Sequence, residues 1–123
     1  MIPTKICGIT NLVDAKVAVE NGSSAIGFIF YEKSPRAISI ENAKSISKQL
    51  SYSVVLVGVF VNQNKDFIDK IISEVQLNMI QLHGDESSNF CNQFDVPVLK
   101  AVRIKNEASL SVMDQYNVAG FLL

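Results

Sequence analysis

The 123 residues read as a single α/β domain of about six parallel strands and five helices. Three observations predict it. Short runs rich in Ile, Val and Phe alternate with segments of helical period. Several of those runs are apolar almost without a break, as strands of a parallel sheet covered on both faces are. No Pro, Gly or Ser tract separates one unit from the next, so residues 1–123 form one domain. With 48% hydrophobic and 19% charged residues, the chain has the apolar surface one core requires.

The first strand is expected at Lys5 to Gly8. Asn11 then offers an N-cap, with Asp14 three residues on, to a helix through Ala15, Ala18 and Val19. That helix stops at Gly22, where a residue without Cβ takes the left-handed turn. A second strand runs from Ala25 to Phe30. Ser39 caps the next helix, whose Ile40, Ala43, Ile46 and Leu50 fall on one face. The third strand, Val54 to Val61, precedes the clearest helical stripe: Phe67, Ile68, Ile71, Ile72 and Val75, with Asp66, Asp69, Lys70 and Glu74 elsewhere. Met79 to Leu82 is the fourth strand. A shorter helix through Phe90, Cys91 and Phe94 ends before Pro97, and Val98 to Val102 is the fifth strand. A helix capped by Asn106, carrying Leu110 and Met113, leads to the last strand at Gly120 to Leu123.

Units of roughly 20 to 30 residues are typical of right-handed βαβ crossovers. Two architectures share this order. One is an open doubly wound sheet of the flavodoxin or receiver type, for which this length is a natural full size. The other is the first three-quarters of a (β/α)8 barrel, which as a whole needs roughly 200 residues or more. Charge narrows the partners: Lys+Arg 11 against Asp+Glu 12 gives no electrostatic footprint for nucleic acid or an anionic membrane. The N-terminus lacks a signal-peptide pattern, and no apolar run approaches the roughly 18 residues of a membrane span. Cys7 and Cys91 have neither metal-knuckle nor disulfide spacing. A cytoplasmic protein without a metal is expected.

In both architectures ligands sit at the carboxyl ends of the strands. Those ends carry Cys7-Gly8, then Tyr31 and Lys33-Ser34-Pro35-Arg36, then Asn62-Gln63-Asn64, then His83-Gly84-Asp85-Glu86, and finally Arg103. A receiver domain needs an acidic pair after the first strand and an Asp after the third, where this chain has Cys7-Gly8 and Val61-Asn62. Only Lys100, inside the fifth strand, loosely fits that pattern. None of the six glycines forms a nucleotide-binding loop.

Four blocks, Lys5-Ile-Cys-Gly-Ile-Thr10, Gly27-Phe-Ile-Phe-Tyr31 with Ser34-Pro-Arg36, Gly58-Val-Phe-Val-Asn62 and Gln81-Leu-His-Gly84, resemble the phosphoribosylanthranilate isomerase family of tryptophan biosynthesis in order and spacing. The resemblance spans the whole chain. It implies a TIM-barrel fold, here partial, and an Amadori rearrangement of a phosphorylated aminosugar of anthranilate, with no metal and no cofactor. It further implies that Cys7 is the general base and that Arg36 pairs with the anthranilate carboxylate through its planar guanidinium. A Cys without context is more often a small core residue; its strand end and flanking block reverse that reading for Cys7, whereas Cys91, beside Phe90 on a helix, is read as core. His83 and Gln81 share strand parity and are expected to line the site, although a His bonded to its adjacent loop fits equally.

The family's general acid is an Asp directly after the sixth strand, in a Leu-Leu-Asp block. The chain closes with Gly120-Phe-Leu-Leu123, so that Asp is expected to follow Leu123. The last two βα units, with their phosphate-binding loops, are likewise expected to be lacking. On that basis this chain alone should have little isomerase activity, and its open sheet edges should favour self-association. A non-catalytic partial barrel, serving as a binding or assembly module or completed by a second chain, is the alternative reading.

Overall fold

A computed structural model describes residues 3–50 and 54–122. The strands are β1 (Lys5–Cys7), β2 (Ala25–Ile29), β3 (Val55–Phe60), β4 (Met79–Leu82), β5 (Val98–Ala101) and β6 (Gly120–Leu122). The helices are α1 (Leu12–Glu20), α2 (Ile40–Leu50), α3 (Lys65–Val75), α4 (Ser88–Cys91) and α5 (Glu107–Ser111), the last running into a 3-10 turn at Val112–Gln115. Leu123, expected at the end of the sixth strand, lies outside the described residues.

Strand order decides between the two architectures. All pairs are parallel, and the spatial order is β1-β2-β3-β4-β5-β6, identical to the chain order. A doubly wound sheet reverses direction at a switch point; this one never does. Each crossover adds its strand on the same side, as in a barrel wall. Among the described residues, β1 and β6 each have a single neighbour in the sheet.

Local chemistry sets the helix ends. Asn11 accepts a hydrogen bond from the Asp14 amide at 2.8 Å, and Gly22 closes the exit of α1 with φ of 90°. Ser39 Oγ accepts from the Asn42 amide at 3.1 Å at the start of α2. Asn64, one of the residues after the third strand, caps α3 by accepting from Phe67 N at 2.8 Å. The fourth helix is shorter than its apolar pattern suggested. It ends at Cys91 and turns through Gln93, well before Pro97. The segment carrying Met113 tightens into the 3-10 turn, which delivers Tyr116 to the strand-end rim.

The alternation of the strands sorts side chains onto two faces. Ile26, Phe28, Leu56, Phe60, Ile80 and Leu82 point outward and are buried beneath the helices, where Ala15, Ala43, Ile46, Ile68, Ile71 and Val75 meet them. Each such large side chain contributes about 1.5–3 kcal/mol on burial. Phe30 and Phe60 stack at 5.4 Å within this layer. Cys91 belongs to the same core, and burial pushes its thiol pKa up. The opposite parity forms the inner face, with Cys7, Gly27 and Val57 in one row and Val59, Gln81 and Leu99 in the next.

Candidate active site

Cys7 closes β1 directly opposite Gly27, where a Cβ would stand 3.2 Å from the Cys7 Sγ. The missing side chain at position 27 therefore leaves room for the thiol. Gly8 follows with φ of 84°, a left-handed conformation that side chains oppose. Across it lies the Arg36 side chain, whose Nη1 donates to the Cys7 carbonyl at 3.2 Å. The loop after β2 brings Arg36 there by turning back on itself. The Ser34 amide donates to the Tyr31 carbonyl at 3.0 Å, Ser34 Oγ accepts from the Arg36 amide at 3.2 Å, and the Ile38 amide rejoins the Ile29 carbonyl at 2.9 Å. Thus a thiol and a guanidinium, 29 residues apart in sequence, share one corner of the rim.

A Gly8→Ala substitution tests this packing. Its Cβ would lie 2.6 Å from Arg36 Nη1 and 2.8 Å from Arg36 Cδ, in a backbone conformation strained for alanine. We expect a loss of about 1–3 kcal/mol in urea-induced unfolding and displacement of Arg36 from the Cys7 carbonyl in a crystal structure. Wild-type stability with Arg36 in place would contradict it.

A second group lies across the inner face. Lys5 Nζ donates to Gln81 Oε1, and Gln81 Nε2 meets His83 Nε2. Gln81 is buried, Lys5 half-buried and His83 exposed. Strands β1 and β4 are three places apart, roughly 14 Å on a flat sheet at about 4.8 Å per strand. Curling of the sheet brings the two side chains together. Removal from water lowers the His83 pKa below its ordinary value, Lys5 and Lys100 acting in the same direction and Glu86 opposing them.

The rim itself is tied by a third group. Lys100 and Glu86, both buried, pair at 3.0 Å, and Lys100 Nζ also donates to the Gly84 carbonyl at 2.5 Å. Glu86 Oε2 accepts from the Asn62 amide at 2.9 Å, and its carbonyl accepts from the Tyr116 hydroxyl at 2.7 Å. Asn62, at φ of 53°, accepts from the Asp85 amide at 2.7 Å through Oδ1. Asn62 is thus a fastening of the rim. Arg103 is exposed and lines, with His83 and Tyr116, a cavity of about 550 Å³. Cys7 lines a different one, between β1 and α1.

The structure therefore pairs Cys7 with Arg36, and Gln81 with His83. Lys5 and the Lys100–Glu86 pair were not singled out for the site. Their signal was available: Lys5 shares parity with Cys7 on one strand, and a Lys within an apolar strand demands a partner.

The family model for N-(5'-phosphoribosyl)anthranilate (PRA) isomerase matches residues 4–123. The chain belongs to this family. The phosphoribosylanthranilate isomerase of Geotalea daltonii is 47% identical over all of this chain, which covers 59% of that relative. That of Syntrophus aciditrophicus is 44% identical, with 54% of it covered. The crystal structure of the Thermotoga maritima isomerase superposes with a TM-score of 0.86 at 48% identity, over 90% of this chain and 55% of that one. The Thermus thermophilus structure gives 0.88 at 34% identity, over 98% and 60%. The chain therefore spans between half and two-thirds of the length of these isomerases. Sequential parallel strands curled toward one face are the wall of their TIM-type barrel. Among the described residues, no helix is long and apolar enough to cross a membrane.

Proposed function

We propose that these residues supply the base side and the anthranilate side of a phosphoribosylanthranilate isomerase active in tryptophan biosynthesis in the cytoplasm. The substrate is a phosphorylated aminosugar, N-(5'-phosphoribosyl)anthranilate, and the product is 1-(2-carboxyphenylamino)-1-deoxyribulose 5-phosphate. One observation supports this reading: Arg36 lies over Gly8 and donates to the Cys7 carbonyl, so a guanidinium of the kind that pairs with carboxylates is held against the backbone of the proposed base. A phosphoribosylanthranilate isomerase 48% identical to this chain has been crystallised with reduced 1-(o-carboxyphenylamino)-1-deoxyribulose 5-phosphate, a ligand with one aromatic carboxylate and one sugar chain.

The reaction is internally balanced. Protonation of the ring oxygen opens the ribose and leaves an iminium at C1′. Loss of the C2′ proton gives an enolamine, which tautomerises to the ketose. C1′ is reduced as C2′ is oxidised, so no outside electron carrier enters. Cys7 takes the C2′ proton, Arg36 holds the carboxylate, and Gln81 and His83 line the sugar side. Glu86 is committed to Lys100 and to the Asn62 amide. The family resemblance assigns ring protonation to an Asp directly after the sixth strand, and Glu86, held in its ion pair, takes no part in it.

Arg36→Met separates binding from chemistry. Loss of a charge-assisted hydrogen-bonded pair is worth about 1.5–3 kcal/mol. Steady-state kinetics of the isomerase should show KM raised roughly ten- to a hundredfold with kcat nearly held. An unchanged KM would remove Arg36 from the anthranilate site.

A further inference from the structure

We infer that Lys5 and Gln81 are positioning residues that hold His83 as the neutral tautomer protonated on Nδ1, making it a hydrogen-bond donor to the substrate and not a second base. The chain of contacts runs from Lys5 Nζ to Gln81 Oε1, and from Gln81 Nε2 to His83 Nε2. Its direction follows from one end. An ammonium has donors and no acceptor, so the Gln81 atom facing Lys5 must be the carbonyl oxygen. The amide is thereby oriented, and the atom it turns to His83 is the NH2, which only donates. His83 Nε2 must then accept, which requires that it carry no proton.

Gln81 is 2% exposed, so no alternative water-mediated arrangement competes for its amide. The charged groups around the ring agree with a neutral imidazole. Partial loss of solvent around the ring disfavours the imidazolium, and the Lys5 and Lys100 cations disfavour it further against the single opposing carboxylate of Glu86. With Nε2 occupied, Nδ1–H is the polar group left for the cavity that His83 lines. It suits an oxygen acceptor such as a sugar hydroxyl or a carboxylate. Only that last assignment rests on the isomerase reading; the tautomer itself rests on the contacts.

His83 is the only His in the sequence, so nitrogen NMR of the 15N-histidine-labelled chain reads this ring alone. At neutral pH we expect a pyrrole-type Nδ1 and a pyridine-type Nε2. Lys5→Met, which frees the amide to flip, should move the ring toward the Nε2–H form that free imidazoles favour. Lys5→Arg keeps a donor-only head and should restore the wild-type pattern. Gln81→Leu should act as Lys5→Met does. An Nε2–H or imidazolium ring in the wild type overturns the inference outright, whether or not any variant folds. So does a folded Lys5→Met chain that keeps the wild-type signature. Neither result bears on the isomerase assignment, since no substrate is present and no turnover is measured.

Discussion

Cys7→Ser lowers kcat of the isomerase by roughly 10²- to 10⁴-fold, the range spanned by removal of a general base, while KM and thermal stability change little. The serine hydroxyl fills nearly the same space opposite Gly27 but is a far poorer base than the sulfur it replaces. The Cys7 carbonyl that accepts from Arg36 is backbone and survives the substitution. Binding and chemistry should therefore separate, in mirror image to Arg36→Met. A deuterium label at C2′ supplies the decisive measurement: the isotope effect on kcat should grow in the variant as proton abstraction becomes more fully rate-limiting. Kinetics unchanged from wild type would remove Cys7 from the role of base.

Lys100→Met destabilises the fold by about 3–5 kcal/mol, the penalty for removing one member of a buried ion pair. Lys100 and Glu86 are 3% and 6% exposed, so the carboxylate left behind has no access to water. It would retain one hydrogen bond, from the Asn62 amide, and the Gly84 carbonyl would lose its ammonium donor. The damage also spreads along the rim. Glu86 joins the loops after β3 and β4 to Lys100 of β5, and Tyr116 reaches its carbonyl from beyond α5. Glu86→Gln keeps the shape and most hydrogen bonds and should cost less. Urea denaturation of wild type, both single variants and the double variant Lys100→Met/Glu86→Gln gives the coupling. Additive losses would mean that the pair does not hold the rim together.

The helices that were most legible carry their instructions locally. Asn11, Ser39 and Asn106 each accept a hydrogen bond from an amide three residues on, and each was readable as a cap from its place before a periodic apolar segment. The stripe of α3 was equally plain, since Ile68, Ile71 and Val75 recur at helical spacing and all three are fully buried. Less legible was the segment after Asn106. Leu110 is 48% exposed there, so its apolar character marked no buried face, and the turn that follows is shaped by the reach of Tyr116 to Glu86.

Among the candidate site residues, strand parity was enough to place Gln81 and His83 on one side of β4, because alternation depends only on the strand's own geometry. The contact between Arg36 and Cys7 was not available in that way. It needs the left-handed turn at Gly8 and the folded loop from Tyr31 to Ile38, whose hydrogen bonds reach back to β2. The family blocks implied that both residues belong to a site; their packing emerged only with the chain folded.

What the sequence by itself determined is the set of strands and helices, their order, and the blocks of residues at the strand ends. These follow from period, capping and local spacing, properties of short stretches of chain. Period and spacing left two strand orders open; the family blocks implied a barrel wall, and the folded chain bears that out with six strands side by side in chain order. Tertiary structure alone joined Lys5 to Gln81 across 76 residues and Lys100 to Glu86 across 14. The physical reason is that such pairings depend on strand register and on the curl of the whole sheet. Curvature brings residues of β1 and β4 together over the inner face, and no local pattern in either strand encodes that meeting.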